Sequence, residues 1–189
     1  ICFNFAAAAA IHFLQKYPKS KVSILDWDVH YGQGVAHIMQ NYPRARYASI
    51  HQIPAFPYLG ESKQRVGQYQ NIYTIPIRAE TTWSGGYEQA FTQDALPFVC
   101  GGDPMWDPDL VIVCAGYDAL DSDELASVSL QASDFGHMTR LLRHHIGQNR
   151  GLVLGLEGGY QLSPFAGGGN MPDAVRETVQ ALAENEVTA

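Results

Sequence analysis

Three apolar runs, each closing in polar residues and glycine, limit what this chain can fold into. They read ILDWDVHYGQG (residues 24–34), DLVIVCAGYDA (109–119) and GLVLGLEGGY (151–160). Strands covered on both faces of a parallel sheet carry such near-continuous apolar sequence, whereas half-exposed strands alternate. We expect buried strands over residues 21–29, along 109–119 and along 151–160, with further strands at 46–51 and 72–77. Helical stretches lie between them. Residues 6–17 are alanine-rich and stop at Pro18, and 34–41 stop before Pro43. Residues 87–98, 133–145 and 173–185 complete the helices, with Asp134 just inside the first turn of its helix. Residues 53–70 carry Pro, Gly and aromatics without a period and read as one long loop. Alternating strands and helices predict an α/β domain, three layers (α/β/α) around a mostly parallel sheet.

A length of 189 residues with 46% hydrophobic content suits one domain with a substantial core. The net charge of −7 argues against a nucleic-acid surface and is compatible with a basic partner. Cys2, Cys100 and Cys114 form no C-x-x-C pair, so reduced thiols in a cytoplasmic or nuclear setting are expected. No apolar run is long enough for a membrane span. The opening ICFNFAAAAAIHFL has no charged region before it and begins at Ile, and reads as a helix inside a longer protein.

Ligands bind at the carboxyl ends of strands in such sheets. Three strands end there in residues able to do chemistry: DWDVH, AGYDA and EGGY. Alternation along the first strand puts Asp26, Asp28 and His30 on one face, while Trp27 and Val29 pack on the other. Successive ligands would then stand about 7 Å apart per two residues. Two buried carboxylates repel, and a divalent cation removes that cost. Asp118 is the natural third ligand from another strand, giving one imidazole, two carboxylates and an open position. Asp121, Asp123 and Glu124 compete for that place, or cap and solvate the loop. Gly158 and Gly159 allow an unusual backbone path that turns Tyr160 toward the cleft, where its phenol could bond a developing oxyanion. A tyrosine merely packed at a strand end is the plainer alternative.

These segments together resemble the zinc-dependent histone deacetylase family. ILDWDVHYGQG is similar to the family's D-x-D-x-H-x-G-x-G motif, and DPDLVIVCAGYDALDSDEL to its P-D…A-G-F-D-A…D-P-L segment. LEGGYQL resembles E-G-G-Y-N-L, SIHQIPAFPYLGE resembles S-L-H…F-Y-P-G-T-G, and ICFNFAAAAA a degenerate G-F-C-x-F-N-N-x-A. The wording is closer to the class II and bacterial branch. The resemblance implies an arginase/deacetylase-like fold and a partial catalytic domain over residues 1–189. It implies Zn2+ on Asp28, His30 and Asp118, and Tyr160 as the oxyanion donor. Asp26 would orient a catalytic histidine. A structural K+ would sit among Asp26, Asp28 and the backbones near His30, Ser49 and Ile50. Phe56 and Tyr58 would line the channel and its mouth, Leu125 its floor and Gly159 its wall, with Gly32 in the loop around the zinc. Implied substrates are an acetylated lysine peptide such as a histone tail, or an acetylated small amine, with corepressor-type protein partners.

The chain departs from the pattern in several places. The family's adjacent histidines belong upstream of the stretch that ICFNF resembles, so these 189 residues alone are expected to turn over little or nothing. His144 and His145 lie on a helix instead and read as a solvated or capping pair. Ile1 stands where a channel phenylalanine is usual, Tyr31 replaces the second histidine of H-H-G, and Gln33 replaces an Asn or Asp. Two other classes stay open. One is a magnesium phosphotransferase built on DxD, which lacks the expected threonine and leaves His30 unexplained. The other is a non-catalytic acyl-peptide-binding or scaffold protein.

Overall fold

A computed structural model describes residues 3–101, 106–147, 149–163 and 169–184. Its centre is a six-stranded sheet of β1 (Val22–Asp26), β2 (Ala45–Ile53), β3 (Gln64–Val66), β4 (Ile72–Arg78), β5 (Leu110–Ala115) and β6 (Gly151–Leu156). The strand order is β3-β4-β2-β1-β5-β6, and every pairing is parallel except β3 with β4. Helices α1 (Phe5–Lys16) and α2 (Gln33–Met39) cover one face. The other face carries the helical stretch from Trp83 that ends in α3 (Leu96–Val99), and then α4 (Ala132–Ile146), with α5 (Met171–Ala183) beside α4. The three-layer, mostly parallel α/β architecture stands as expected.

The apolar runs bury both faces by period-two alternation. Ile24, Tyr47, Ile112 and Cys114 pack under α1 and α2. Leu25, Ala48, Val111 and Val113 pack against Phe91, Phe98, Phe135 and Leu142 on the opposite side. Trp27 and Val29 continue this second side and are buried. Cys100 and Cys114 are free thiols, and burial pushes Cys100 up to about 12. None of the described helices is long and apolar enough to cross a membrane.

Four expectations need correction. Strand β1 stops at Asp26 and not at Val29, because the Asp26 and Asp28 side chains take the amides two residues ahead. The N–H of Asp28 donates to Asp26 Oδ1 (3.1 Å) and that of His30 to Asp28 Oδ1 (2.9 Å). Such local bonds compete with a sheet ladder and curl the chain. Residues 53–70 are not loop throughout, since Gln64–Val66 pairs antiparallel with β4. Its polar edge residues leave no hydrophobic period to read. The expected helix at 87–98 begins earlier and is irregular in two places. Residues Trp83–Tyr87 and Ala90–Ala95 make π-type turns, broken by Gly86 at φ 137°. Strand β6 is not buried as its apolar sequence leads one to expect: Val153 and Leu156 are exposed. It is an edge strand among the described residues, and only Leu152 and Leu154 pack against the core.

The expected helix at 173–185 runs from Met171 to Ala183, and Asn185 lies outside the described residues. Ile1 and Cys2 lie outside them too. Asp134 takes its expected place, its carboxylate accepting the Gln131 N–H at 2.8 Å across the start of α4. His144 and His145 stand exposed in the last turn of α4, and the His145 Nδ1–H donates to the Leu141 carbonyl at 2.8 Å.

Candidate active site

The carboxyl ends of β1, β5 and β6 meet, and their loops build one acidic pocket. Asp28 and His30 come from the curl after β1, and Asp118 from the first turn after β5. Their potential ligand atoms all lie within 4.8 Å of one another. His30 Nδ1 is 3.2 Å from Asp28 Oδ1 and 3.0 Å from Asp118 Oδ2. Asp118 is fully buried and also accepts the Val29 N–H at 2.9 Å. One imidazole and two carboxylates converging from different elements fit a divalent zinc ion with an open position. Among the described residues this is the group of three that could hold a metal.

Glycine makes the pocket possible. A Cβ at Gly158 would overlap Asp118 Oδ2 and come within 2.6 Å of Asp28 Oδ2, and one at Gly116 would overlap Asp28. The two carboxylates occupy space that side chains at 116 and 158 would fill. Gly158 also donates its N–H to Asp28 Oδ2 at 2.8 Å. Gly32 makes room for Asp26 in the same way, since a Cβ there would lie 2.6 Å from Asp26 Oδ2.

The charges are strongly coupled. Hydrogen bonds to Asp118 and Asp28 hold the His30 imidazole up to about 10. Burial pushes Asp118 up to about 6. Asp28 resists its own burial, and bonds from His30 and Gly158 keep it below the ordinary carboxylate range. Asp26 is fully buried, and burial together with the Asp28 charge raises it well above that range. Its Oδ2 accepts the Tyr47 hydroxyl at 2.7 Å, an interaction between β1 and β2. Asp26 and Ser49 are register partners on those two strands, so Ser49 and Ile50 lie beside it, both buried.

Tyr160 follows Gly159, whose φ of 123° suits glycine alone. Tyr160 is 56% exposed and close enough to feel the pocket's charges. Partial burial and then the charges of Asp118, Asp28 and Asp123 raise its phenol above its ordinary value, so it stays protonated. Phe56, Tyr58 and Leu125 are all exposed, Leu125 at 62%. The loop carrying Phe56 and Tyr58 is tied down at Gly60. The ring of His51 donates through Nε2–H to the Gly60 carbonyl (3.0 Å) and packs against Tyr31, 4.8 Å between centroids. Asp123, expected to cap a helix or stay solvated, is buried and accepts the N–H groups of Tyr160 and Leu125. Sequence spacing carries no signal for Tyr47, His51 or Asp123 in these places, because each acts across a tertiary contact.

Comparison with known proteins gives the family and the fold. The profile of the Histone deacetylase domain matches residues 2–171. The chain therefore belongs to the histone deacetylase family. It is 40% identical over 167 residues to an uncharacterized protein of Synechocystis sp., covering 86% of this chain and 51% of that protein. It is 33% identical over 187 residues to the human polyamine deacetylase HDAC10, covering 95% of this chain and 26% of that protein. The solved structure of the histone deacetylase Clr3 superposes with a TM-score of 0.76 at 28% identity, covering 96% of this chain and 29% of that one. The chain thus spans about half, or less, of the length of these relatives. Membership of this family removes the phosphotransferase alternative and gives the sheet its arginase/deacetylase-like class.

Proposed function

We propose that this chain is a portion of the catalytic domain of a zinc-dependent amidohydrolase that removes acetyl groups from lysine side chains or from related acylated amines. The observation that carries the reading is the convergence of Asp28, His30 and Asp118 beside Tyr160, at the strand ends of a histone deacetylase-family sheet. Zinc on those three residues would supply a water of lowered pKa and polarise an acyl carbonyl. The chain's own residues do the rest. The His30 and Gly158 N–H groups fix Asp28, and the Val29 N–H fixes Asp118. The Tyr160 hydroxyl donates to the acyl oxygen as negative charge gathers there. Asp26, braced by Tyr47, would orient a general-base histidine supplied by the rest of the protein. Phe56, Tyr58, Leu125, Gly159 and Gly32 would shape the approach to the zinc.

The structural K+ among Asp26, Asp28, His30, Ser49 and Ile50 belongs to the same proposal, supported by the Asp26–Ser49 register. An acetylated polyamine is a substrate of equal standing with a histone tail, given the polyamine deacetylase among the relatives. Corepressor-type partners and a cytoplasmic or nuclear setting rest on the family resemblance alone.

The test is deacetylation of an acetyl-lysine peptide and of an acetylated polyamine by the zinc-loaded full-length protein. Replacing Tyr160 by Phe should cost about 2.7–4 kcal/mol of transition-state stabilisation, roughly 100- to 1,000-fold in kcat, as for a single oxyanion donor. Near-normal turnover by that variant would remove Tyr160 from the chemistry. Zinc and peptide binding without acetate release by the wild type would favour a binding module instead.

A further inference from the structure

We propose that Asp123 is the positioning residue for Tyr160, a role that rests on the reading of Tyr160 above. The Tyr160 hydroxyl makes no hydrogen bond among the described residues, and its ring is exposed. Its direction therefore depends on where the backbone leaves it. That backbone is held on both sides of Gly159. Before it, Gly158 donates its N–H to Asp28 at 2.8 Å and accepts the Tyr117 N–H at 2.8 Å. After it, the Tyr160 N–H donates to Asp123 Oδ2 at 2.8 Å.

Asp123 is itself fixed. It is 7% exposed, its N–H donates to the Leu120 carbonyl at 3.0 Å, and its Oδ1 accepts the Leu125 N–H at 2.9 Å. One carboxylate thus joins the loop after β5 to the loop after β6. Neighbouring bonds reinforce the seam, from Ser122 Oγ–H to the Gly169 carbonyl (2.7 Å) and from Gln161 Nε2 to the Ser122 carbonyl (3.1 Å). The loop that supplies Asp118 to the metal pocket therefore also aims the tyrosine. Leu125, held by the other oxygen, moves with it.

The decisive experiment is a double-mutant cycle of Asp123→Asn and Tyr160→Phe in the zinc-loaded full-length protein, with an acetyl-lysine peptide as substrate. Amide hydrogen exchange of the Tyr160 segment is read alongside. A loss of reach of this kind should lower kcat by about 10- to 100-fold in Asp123→Asn while KM changes little. In the Tyr160→Phe background the same change should cost less than about twofold. The Tyr160 amide should exchange more slowly than that of exposed Leu162 in the wild type, and should quicken in Asp123→Asn. Equal losses in both backgrounds overturn the proposal. So does a wild-type Tyr160 amide that exchanges as fast as Leu162, a result that needs no folded variant. If the wild type has no deacetylase activity, the functional reading fails. The exchange result then decides the Asp123–Tyr160 clamp by itself.

Discussion

His30 stays protonated up to about pH 10 in the metal-free protein, because Asp118 and Asp28 both accept from its ring. Zinc binds a neutral imidazole, so the ion must displace that proton. The sign follows. Below the folded pKa the proton opposes the metal, and zinc affinity rises with pH, by about tenfold per unit between pH 6.5 and 9. Zinc added at pH 7.5 should release about one proton, measurable with an indicator dye. Affinity that is flat across this range, in a chelator competition, would contradict the ligand set. Gly158 offers a second test at this scale. Gly158→Ala puts a methyl group where Asp118 and Asp28 now sit and disturbs the amide that holds Asp28. Zinc affinity should fall by at least about 10-fold, the lower end for lost outer-shell support. Unchanged affinity would mean that the carboxylates sit elsewhere when metal is bound.

The elements explain why the site is where it is. Three apolar strands deliver three polar ends to one end of the sheet, and their parallel pairing holds them in register. Helix α5 is an example of local chemistry with a distant effect. Its Asn170 side chain accepts the Asp173 N–H at 2.9 Å, and the Asp173 carboxylate returns the bond. The Asn170 Nδ2 also reaches the Ser163 carbonyl at 2.8 Å, in the segment just after Tyr160. Asn170→Ala should cost about 1 kcal/mol as a lost cap, read from a urea melt. It should also quicken amide exchange around residues 160–163. A stability loss without that local change would separate the cap from the loop. The π-type turns at Trp83–Tyr87 and Ala90–Ala95 leave no mark in the hydrophobic spacing, which does not report the extra residue that such a turn inserts.

For the molecule as a whole, the pocket brings together the candidate zinc ligands and the tyrosine proposed as oxyanion donor, but no second imidazole among the described residues bonds to its carboxylates. His51 spends its Nε2–H on the Gly60 carbonyl. His144 and His145 lie on the last turn of α4. Residues 1–189 expressed alone should therefore bind zinc yet release no measurable acetate from an acetyl-lysine peptide. Full turnover by this chain alone would show that its own residues supply the base.

The sequence by itself determined the α/β class and the polar strand ends, and it offered Asp28, His30, Asp118 and Tyr160 as candidates, the roles of Asp118 and Tyr160 resting on the family resemblance. Each of these rests on local information, namely apolar runs, turn glycines and the order of short motifs. Only the tertiary structure decided what surrounds them. The Tyr47–Asp26 bond needs the register of β1 on β2, and the need for glycine at 116 and 158 needs carboxylates arriving from other strands. The Asp123 bridge needs two loops whose hydrogen-bonded residues lie 37 positions apart. The exposure of β6 has the same cause: its sequence is as apolar as that of β5, and only its place at the sheet's edge leaves Val153 and Leu156 uncovered. Periodicity records which residues favour burial, and the packing of the whole chain decides which of them obtain it.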